Sequence, residues 1–387
     1  MNNQCETVRV HLSERSYDIQ IGAGNLDETG RFLAERAKAT HVVLITDDNV
    51  QKPHAIRVAE SLGEQDIETD VIAVEPGEES KSLDVAAALW QGLLDLGADR
   101  KTVIAAVGGG VVGDLAGFIA ATYARGLRFL QVPTSLLAQV DSSVGGKVGI
   151  DLPKAKNMVG AFLQPLGVMI DTDVLTTLPD REFRNGMAEV IKYGVILDAD
   201  FFDYLEANAA AILEHQPDVL RYMIARCCQL KAEIVEKDER EETGLRAVLN
   251  FGHTFGHAFE MLSWRSEETK SADSQAAKSF TNHAESPVSS LLHGEAVAIG
   301  MICSARLAER LGRIDASLTG RLSNLLQTFG LPLEVPSLDR GDILNVMMND
   351  KKVQHGRLHF VLPSRMGHVE LVGDIGSADI EAALENE

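Results

Sequence analysis

The chain has 387 residues, enough for two domains of ordinary size that can each bury an apolar core. Lys and Arg total 36 against 57 Asp and Glu, and a surface with a formal net charge of -21 repels nucleic acid. A local cluster of cations could still bind a small anion, because salt screens the distant acidic surface over about 10 Å. We therefore expect no nucleic-acid partner, while the charge stays compatible with a small anionic ligand.

The four cysteines, Cys5, Cys227, Cys228 and Cys303, form no CxxC pair, so neither a disulfide framework nor a thiolate metal site is predicted. The first 20 residues are polar, and no run of about 18 uncharged apolar residues follows. We expect a cytoplasmic protein with no membrane partner. We also expect a homodimer, a state that the sequence by itself does not determine.

Short β-rich runs alternate with helical segments in the first half of the chain. The runs lie at residues 41–47, 69–77, 102–110, 127–135 and 167–175, and a helix-like segment lies at residues 80–96. This alternation is typical of βαβ units around a parallel sheet. It predicts an α/β domain with a Rossmann-like parallel sheet over residues 1–178.

The pattern changes near Pro179 to long segments that are rich in Ala, Leu, Glu and Lys. Residues 180–197 and 217–236 have the apolar spacing of helices, which predicts a mainly α-helical domain over residues 179–387. Residues 266–290 are rich in serine and poor in large apolar side chains, and they predict a polar insertion loop.

A glycine-rich turn follows the β-rich run at residues 102–110. In GGGVVGD, Gly108, Gly110 and Gly113 have the GxGxxG spacing that brings a helix N-terminus close to a pyrophosphate. A tight turn without a ligand fits the glycines about equally well. No acidic residue ends a strand about 20 positions later, which disfavours a standard Rossmann dehydrogenase. Asp47, at the end of an earlier strand, could hold a ribose or be a plain turn residue.

Imidazole and carboxylate side chains in the second half could bind a metal ion. His253 and His257 are four residues apart and would share one face of a helix, while His293 adds a third imidazole. Glu189 is followed by Lys192 one helical turn later. Glu with two His and an open position is the ligand set of a catalytic zinc site. Spacing alone does not decide whether His257 binds the metal or meets a substrate.

Seven segments resemble, in the same order, signature segments of the 3-dehydroquinate synthase family. They are GGGVVGDLAGF, YARG, PTSLLAQVDSSVGGKVGID, KN, NGMAEVIKYG, GLRAVLNFGHTFGHAFE and HGEAVAIGM. The resemblance implies a phosphate-eliminating carbon-oxygen lyase of the shikimate pathway that uses NAD and one divalent ion, zinc or cobalt. It would convert 3-deoxy-D-arabino-heptulosonate 7-phosphate into 3-dehydroquinate and phosphate.

The resemblance also assigns the cofactor residues. It implies that Glu189, His253 and His293 bind the metal and that His257 faces the substrate. The positions implied for NAD are Glu78, Lys81, Gly110, Val111, Val112, Gly113, Asp114, Thr134 and Ser135. Three further positions implied for NAD are Lys147, Lys156 and Thr177. For Glu78 and Lys81, the start of a solvated helix is the simpler interpretation of the composition.

Substrate contacts follow from the same resemblance. The implied positions are Arg125, Lys147, Asn157, Lys192, Lys231, Arg246, Asn250 and His257, with Lys352 or its neighbour Lys351. Because Arg suits a planar oxyanion, we expect Arg246, with Lys231, to bind the carboxylate. Lys147, Asn157 and Arg125 would then bind the phosphate. Asp141 is a candidate for orienting a lysine or relaying a proton.

Three other functions remain open on the sequence. One is a different sugar phosphate cyclase that acts on the neutral sedoheptulose 7-phosphate. Another is a metal-dependent polyol dehydrogenase of similar architecture, which would consume NAD stoichiometrically. The third is a catalytically idle metal or nucleotide binding protein. It ranks last, because such a protein would not need the predicted cluster of cations.

Overall fold

A computed structural model describes residues 5–153, 155–263, 291–348 and 358–386. The chain forms two compact units, Met1–Gly186 with Ala210–Leu245, and Met187–Ala209 with Arg246–Glu387. The insertion at residues 266–290, Lys351 and Lys352 lie outside the described residues. The domain boundary at residue 178 stays a prediction, since a group of neighbouring residues is not by itself an independently folding domain.

The first unit is built on a seven-stranded sheet. Its strands, in spatial order, are β1 (Glu6–Val10), β2 (Tyr17–Gly22), β9 (Gly167–Asp171), β6 (Arg128–Pro133), β5 (Val103–Gly108), β3 (His41–Asp47) and β4 (Glu68–Val74). β1 pairs antiparallel with β2, and the remaining neighbours are parallel. β5 is buried along its whole length, as expected for a strand that is covered on both faces.

Helices and a hairpin pack around this sheet. They are α1 (Thr29–Arg36), α2 (Asp48–Val50), α3 (Ile56–Gly63), α4 (Leu83–Asp95), α5 (Gly110–Thr122), the hairpin β7 (Lys147–Leu152) with β8 (Ala155–Phe162), and α8 (Pro217–Lys237). In the core, Leu115 and Ile119 of α5 pack with Ile104 of β5 and Val148 of β7. α5 is apolar on most sides because sheet and hairpin cover it, and this confirms the predicted parallel-sheet α/β part.

The second unit is mainly helical. It holds the later part of α6 (Asp180–Leu197), most of α7 (Ala199–Leu213), α9 (residues 253–263), α10 (His293–Arg310), α11 (Ala316–Thr328), α12 (Arg340–Met348), the pair β10 (Phe360–Arg365) and β11 (His368–Val372), and α13 (Ser377–Ala383). Phe255 and Phe259 of α9 pack with Ile299 and Cys303 of α10 in its core. This confirms the helical second part. None of the described helices is long and apolar enough to cross a membrane.

Candidate metal centre and cofactor site

Three glycines bring the backbones of α9 and α10 into direct contact. Gly252, just before α9, has a φ of +79°, and a Cβ there would lie 2.9 Å from the backbone oxygen of Val297. A Cβ on Gly300 would lie 2.0 Å from the backbone oxygen of Gly252, and one on Gly256 3.1 Å from that of Ala296. A side chain at Gly252 or Gly300 would overlap the other helix, and one at Gly256 would press against it. The glycines of NFGHTFGH therefore set how closely the two helices that carry histidines can approach.

We expect Gly300→Ala to lower the free energy of unfolding by about 1–3 kcal/mol, because the new methyl group collides with backbone that cannot rotate away. Zinc uptake should fall with it, since α9 and α10 are forced apart. Gly320→Ala is the matched control: Gly320 lies in α11 with no atom within 4 Å of its added Cβ. That change should stabilise by about 0.5–1 kcal/mol. Urea unfolding and metal analysis of both variants test this; equal stabilities would contradict the tight crossing.

Glu189, His253 and His293 form a cluster with the geometry of a metal site. One ligand atom from each lies within 4.8 Å of the others, and no other such group occurs in the described ranges. Oε1 of Glu189 lies 3.6 Å from Nε2 of His253 and 3.7 Å from Nε2 of His293. Ligand atoms about 2.0–2.2 Å from a tetrahedral zinc lie roughly 3.3–3.6 Å apart. The donor set and its spacing therefore fit a zinc-like ion.

Hydrogen bonds at Nδ1 orient both imidazoles. Nδ1 of His253 lies 3.1 Å from the backbone oxygen of Phe251, and Nδ1 of His293 lies 3.2 Å from Oε2 of Glu260. An Nδ1–H donated to such acceptors leaves the Nε2 lone pair for a metal. Burial opposes protonation of His293, but the carboxylates of Glu189 and Glu260 outweigh burial and raise the pKa of His293 to about 10. A metal ion would therefore have to displace a proton from Nε2.

Four further predicted residues belong to the second unit. Lys192 is almost fully buried and forms an ion pair with Oε2 of Glu189, the oxygen that does not face the imidazoles. The ring of His257 lies 5.4 Å from that of His253, centre to centre. Arg246 is only 4% exposed, and Asn250 is half-buried near the start of α9. A buried guanidinium of this kind is suited to binding an anion.

The glycine-rich turn connects β5 to α5, as predicted. A Cβ on Gly110 would come within 3.2 Å of Ser142 Oγ, and one on Gly113 within 3.3 Å of Gln131 Oε1. The side chain of Val112 is buried in the core, while Val111 is half-buried. Thr134, which begins the loop after β6 and precedes Ser135, donates a backbone hydrogen bond of 2.9 Å to the carbonyl of Gly108. The turn thus lies at the carboxyl end of parallel strands, where nucleotides bind in such sheets.

Lys81 joins several predicted residues in one polar network. Its Nζ lies 3.0 Å from Oδ2 of Asp114, 2.7 Å from Oδ1 of Asn157 and 3.5 Å from Oε1 of Glu78. Burial opposes its charge, but Asp114 and Glu78 outweigh burial and raise the pKa of Lys81. Lys156 lies 3.9 Å from the same oxygen of Glu78. Lys81 is thus a buried, charged anchor, in contrast to the solvated helix start that composition favoured.

Two more cations of the first unit contact carboxylates. Nζ of Lys231 donates to the backbone oxygen of Asp141 at 2.6 Å and lies 2.9 Å from its Oδ1. Lys147 is half exposed and forms an ion pair with Glu241. The pairing of Lys231 agrees with the role suggested for Asp141 in orienting a lysine.

The remaining predicted residues occupy turns. Asp47 accepts hydrogen bonds from the backbone amides of Asn49 and Val50, so it caps α2, as a turn residue would. Oγ1 of Thr177 lies 2.7 Å from Nε2 of His54. Arg125 is exposed and has a φ of +72°, an uncommon conformation for a residue with a side chain.

Sequence reasoning missed Glu260, Glu241 and His54. Glu260 was detectable in principle, because it lies seven residues after His253 and therefore on the same helical face. Glu241 and His54 contact partners 94 and 123 residues away in the chain, and no local pattern signals such contacts.

Comparison with known proteins identifies the family over both halves of the chain. A family model described as the 3-dehydroquinate synthase N-terminal domain matches residues 71–185. The model for the 3-dehydroquinate synthase C-terminal domain matches residues 186–268 and 281–353. The two matches meet within α6, before Glu189.

Full-length relatives agree with this match. A 3-dehydroquinate synthase of Rhodopirellula baltica is 47% identical over 99% of this chain and 98% of its own length. Among solved structures, a 2-deoxy-scyllo-inosose synthase with carbaglucose-6-phosphate, NAD+ and Co2+ has a TM-score of 0.83 at 26% identity, covering 98% of this chain and 99% of its own. A 2-epi-5-epi-valiolone synthase from Streptomyces hygroscopicus subsp. jinggangensis 5008 with NAD+ and Zn2+ bound has a TM-score of 0.81 at 28% identity, covering 97% of each chain. The chain belongs to the 3-dehydroquinate synthase family.

Proposed function

We propose that this chain is a 3-dehydroquinate synthase, a lyase that converts 3-deoxy-D-arabino-heptulosonate 7-phosphate into 3-dehydroquinate and phosphate. The observation that carries the proposal is the cluster of Glu189, His253 and His293 in a chain of this family. An open zinc-like site suits a reaction that must activate a hydroxyl group of a sugar. This reaction is a step of the shikimate pathway, which leads to the aromatic amino acids.

Glu189, His253 and His293 would hold the divalent ion, zinc or cobalt. A bound ion of this kind would acidify the hydroxyl group to be oxidised and polarise the ketone that forms. The carbonyl of Phe251 and the carboxylate of Glu260 keep the two imidazoles in the ligating tautomer. The backbone contacts of Gly252, Gly256 and Gly300 keep the ligands together.

The backbone of Gly110, Val111, Val112 and Gly113, with Thr134 and Ser135, would cradle NAD at the end of β5. NAD held there would take a hydride from C5 of the substrate and return it later in the same turnover. Two related cyclases whose structures contain NAD+ also contain Co2+ or Zn2+, which supports a shared requirement for both. Lys81 would orient Asp114 and Asn157 through the hydrogen bonds described above.

Arginine and lysine side chains, with Asn157, would hold the two anionic ends of the substrate. Arg246, with Lys231, would bind the carboxylate, and Lys147, Asn157 and Arg125 would bind the phosphate. The ketone at C5 makes the neighbouring C–H acidic, so phosphate leaves by β-elimination, and an intramolecular aldol step closes the ring after reduction. Lys192 and His257, beside the proposed metal ligands, would hold protons during these steps.

A cyclase that acts on sedoheptulose 7-phosphate is the main alternative. The identity of 47% to a 3-dehydroquinate synthase, against 26% and 28% to two cyclases with other products, favours the acidic substrate. Arg246 favours it as well, because a guanidinium that is only 4% exposed suits a carboxylate ligand.

Phosphate release distinguishes the two substrates. With zinc or cobalt and NAD, we expect rapid release from 3-deoxy-D-arabino-heptulosonate 7-phosphate and little from sedoheptulose 7-phosphate. Preference for the neutral sugar would overturn the assignment.

We further propose a cytoplasmic homodimer. Each chain would have an NAD-binding domain over residues 1–178 and a metal- and substrate-binding domain over residues 179–387.

A further inference from the structure

One face of α9 carries three polar side chains that converge on the metal cluster. His257 and Glu260 follow His253 by four and seven residues, so at 3.6 residues per turn all three lie on the same side of the helix. The opposite side carries Phe255 and Phe259, which are fully buried in the core of the second unit. The core therefore fixes the rotation of α9 and directs Glu260 towards the cluster.

Glu260 contacts a proposed metal ligand from another helix, His293 of α10. Its Oε2 lies 3.2 Å from Nδ1 of His293, the first residue of α10. The other ring nitrogen, Nε2, lies 3.7 Å from Oε1 of Glu189, inside the ligand cluster. The two nitrogens of His293 thus face two different carboxylates. Glu260 is only 19% exposed, which separates this contact from an ordinary surface ion pair.

We propose that Glu260 is a positioning residue for the metal centre, holding the ring of His293 so that its Nε2 points at the metal. This inference rests on the proposed function, because it assumes that Glu189, His253 and His293 bind a metal. A carboxylate that accepts Nδ1–H fixes the tautomer and makes Nε2 a stronger donor. His253 receives the same orientation from a neutral acceptor, the backbone oxygen of Phe251. Glu260 is therefore the acceptor that mutation can remove.

Zinc affinity of the complete protein tests this role without reference to turnover. Metal-free wild type, Glu260→Gln and Glu260→Ala would be titrated with zinc in competition with a chromophoric chelator. We expect Glu260→Ala to weaken zinc binding about 10- to 100-fold, as is usual when the partner of a ligating histidine is lost. Glu260→Gln keeps an acceptor but not the charge, so its affinity should lie between the two. Glu334→Gln removes an exposed carboxylate of the same unit and should bind as wild type does.

The absorption spectrum of bound cobalt gives a second measurement that a purely structural role would leave unchanged. We expect altered cobalt bands in Glu260→Ala, while the melting temperature of the metal-free protein stays as in wild type. If Glu260→Ala does not fold, Glu260→Gln decides the question by affinity and spectrum alone. Wild-type affinity and spectrum in the folded Glu260 variants would overturn this role. A wild-type protein that takes up no zinc would instead overturn the metal centre itself, and the role of Glu260 with it.

Discussion

Removal of the metal by a strong chelator is expected to abolish turnover completely while the protein stays folded. The three ligands come from α6, α9 and α10, and each helix is held by apolar contacts that do not involve the ion. Phe255 and Phe259 of α9, for example, are fully buried against α10. A catalytic metal added to such packed helices contributes binding energy but is not needed for folding.

Phosphate release and far-ultraviolet circular dichroism of one chelated sample measure both quantities. We expect no release, an unchanged helical signal and a cooperative thermal transition at a lower temperature, because the native state loses a stabilising ligand. Zinc or cobalt should restore the rate. Loss of the helical signal on chelation would identify a structural metal, and undiminished turnover would contradict the metal centre.

Arg246→Leu is expected to lower kcat/KM for the acidic substrate by roughly 30-fold to several thousand-fold. The change removes a guanidinium that is only 4% exposed and would leave the substrate carboxylate desolvated without its proposed partner. Breaking a buried charge pair in this way costs about 2–5 kcal/mol, and each 1.4 kcal/mol is about tenfold. Trace turnover of the neutral sedoheptulose 7-phosphate should change little, because that sugar has no carboxylate.

Two variants control this measurement. Arg246→Lys keeps the charge but loses the planar pair of donors, so its loss should be smaller than that of Arg246→Leu. Arg340→Leu removes a surface cation that is half exposed, and it should leave both activities unchanged. Equal losses on both substrates in an Arg246→Leu protein that still binds NAD and zinc would refute a carboxylate contact. Unfolding of Arg246→Leu would leave Arg246→Lys to decide.

Local patterns in the sequence were enough to predict the elements that carry the site. The run at residues 41–47 is β3 (His41–Asp47), the turn GGGVVGD connects β5 to α5, and the helix expected at residues 180–197 is α6. Such patterns succeed because each strand or helix must match its apolar spacing to the core that it covers. Spacing left open which histidines bind the metal. The resemblance assigned His293 to the metal and His257 to the substrate.

Long-range contacts were beyond prediction because they depend on the folded arrangement. Nothing near Lys81 in the chain indicates that its ammonium group contacts Asp114 and Asn157, which lie 33 and 76 residues away. The hairpin of β7 and β8 was also missed. Its second strand is largely exposed and lacks the apolar run of a central strand.

The number of phosphate ions released per NAD molecule tests the proposed function most directly. The protein, loaded with zinc, would receive an excess of 3-deoxy-D-arabino-heptulosonate 7-phosphate and NAD at a small fraction of the substrate concentration. Because the hydride taken from C5 returns in the same turnover, many phosphate ions should be released per NAD and no NADH should accumulate. A polyol dehydrogenase would form one NADH for each substrate molecule oxidised, would stop when the NAD is used up and would release no phosphate. That result would contradict the account.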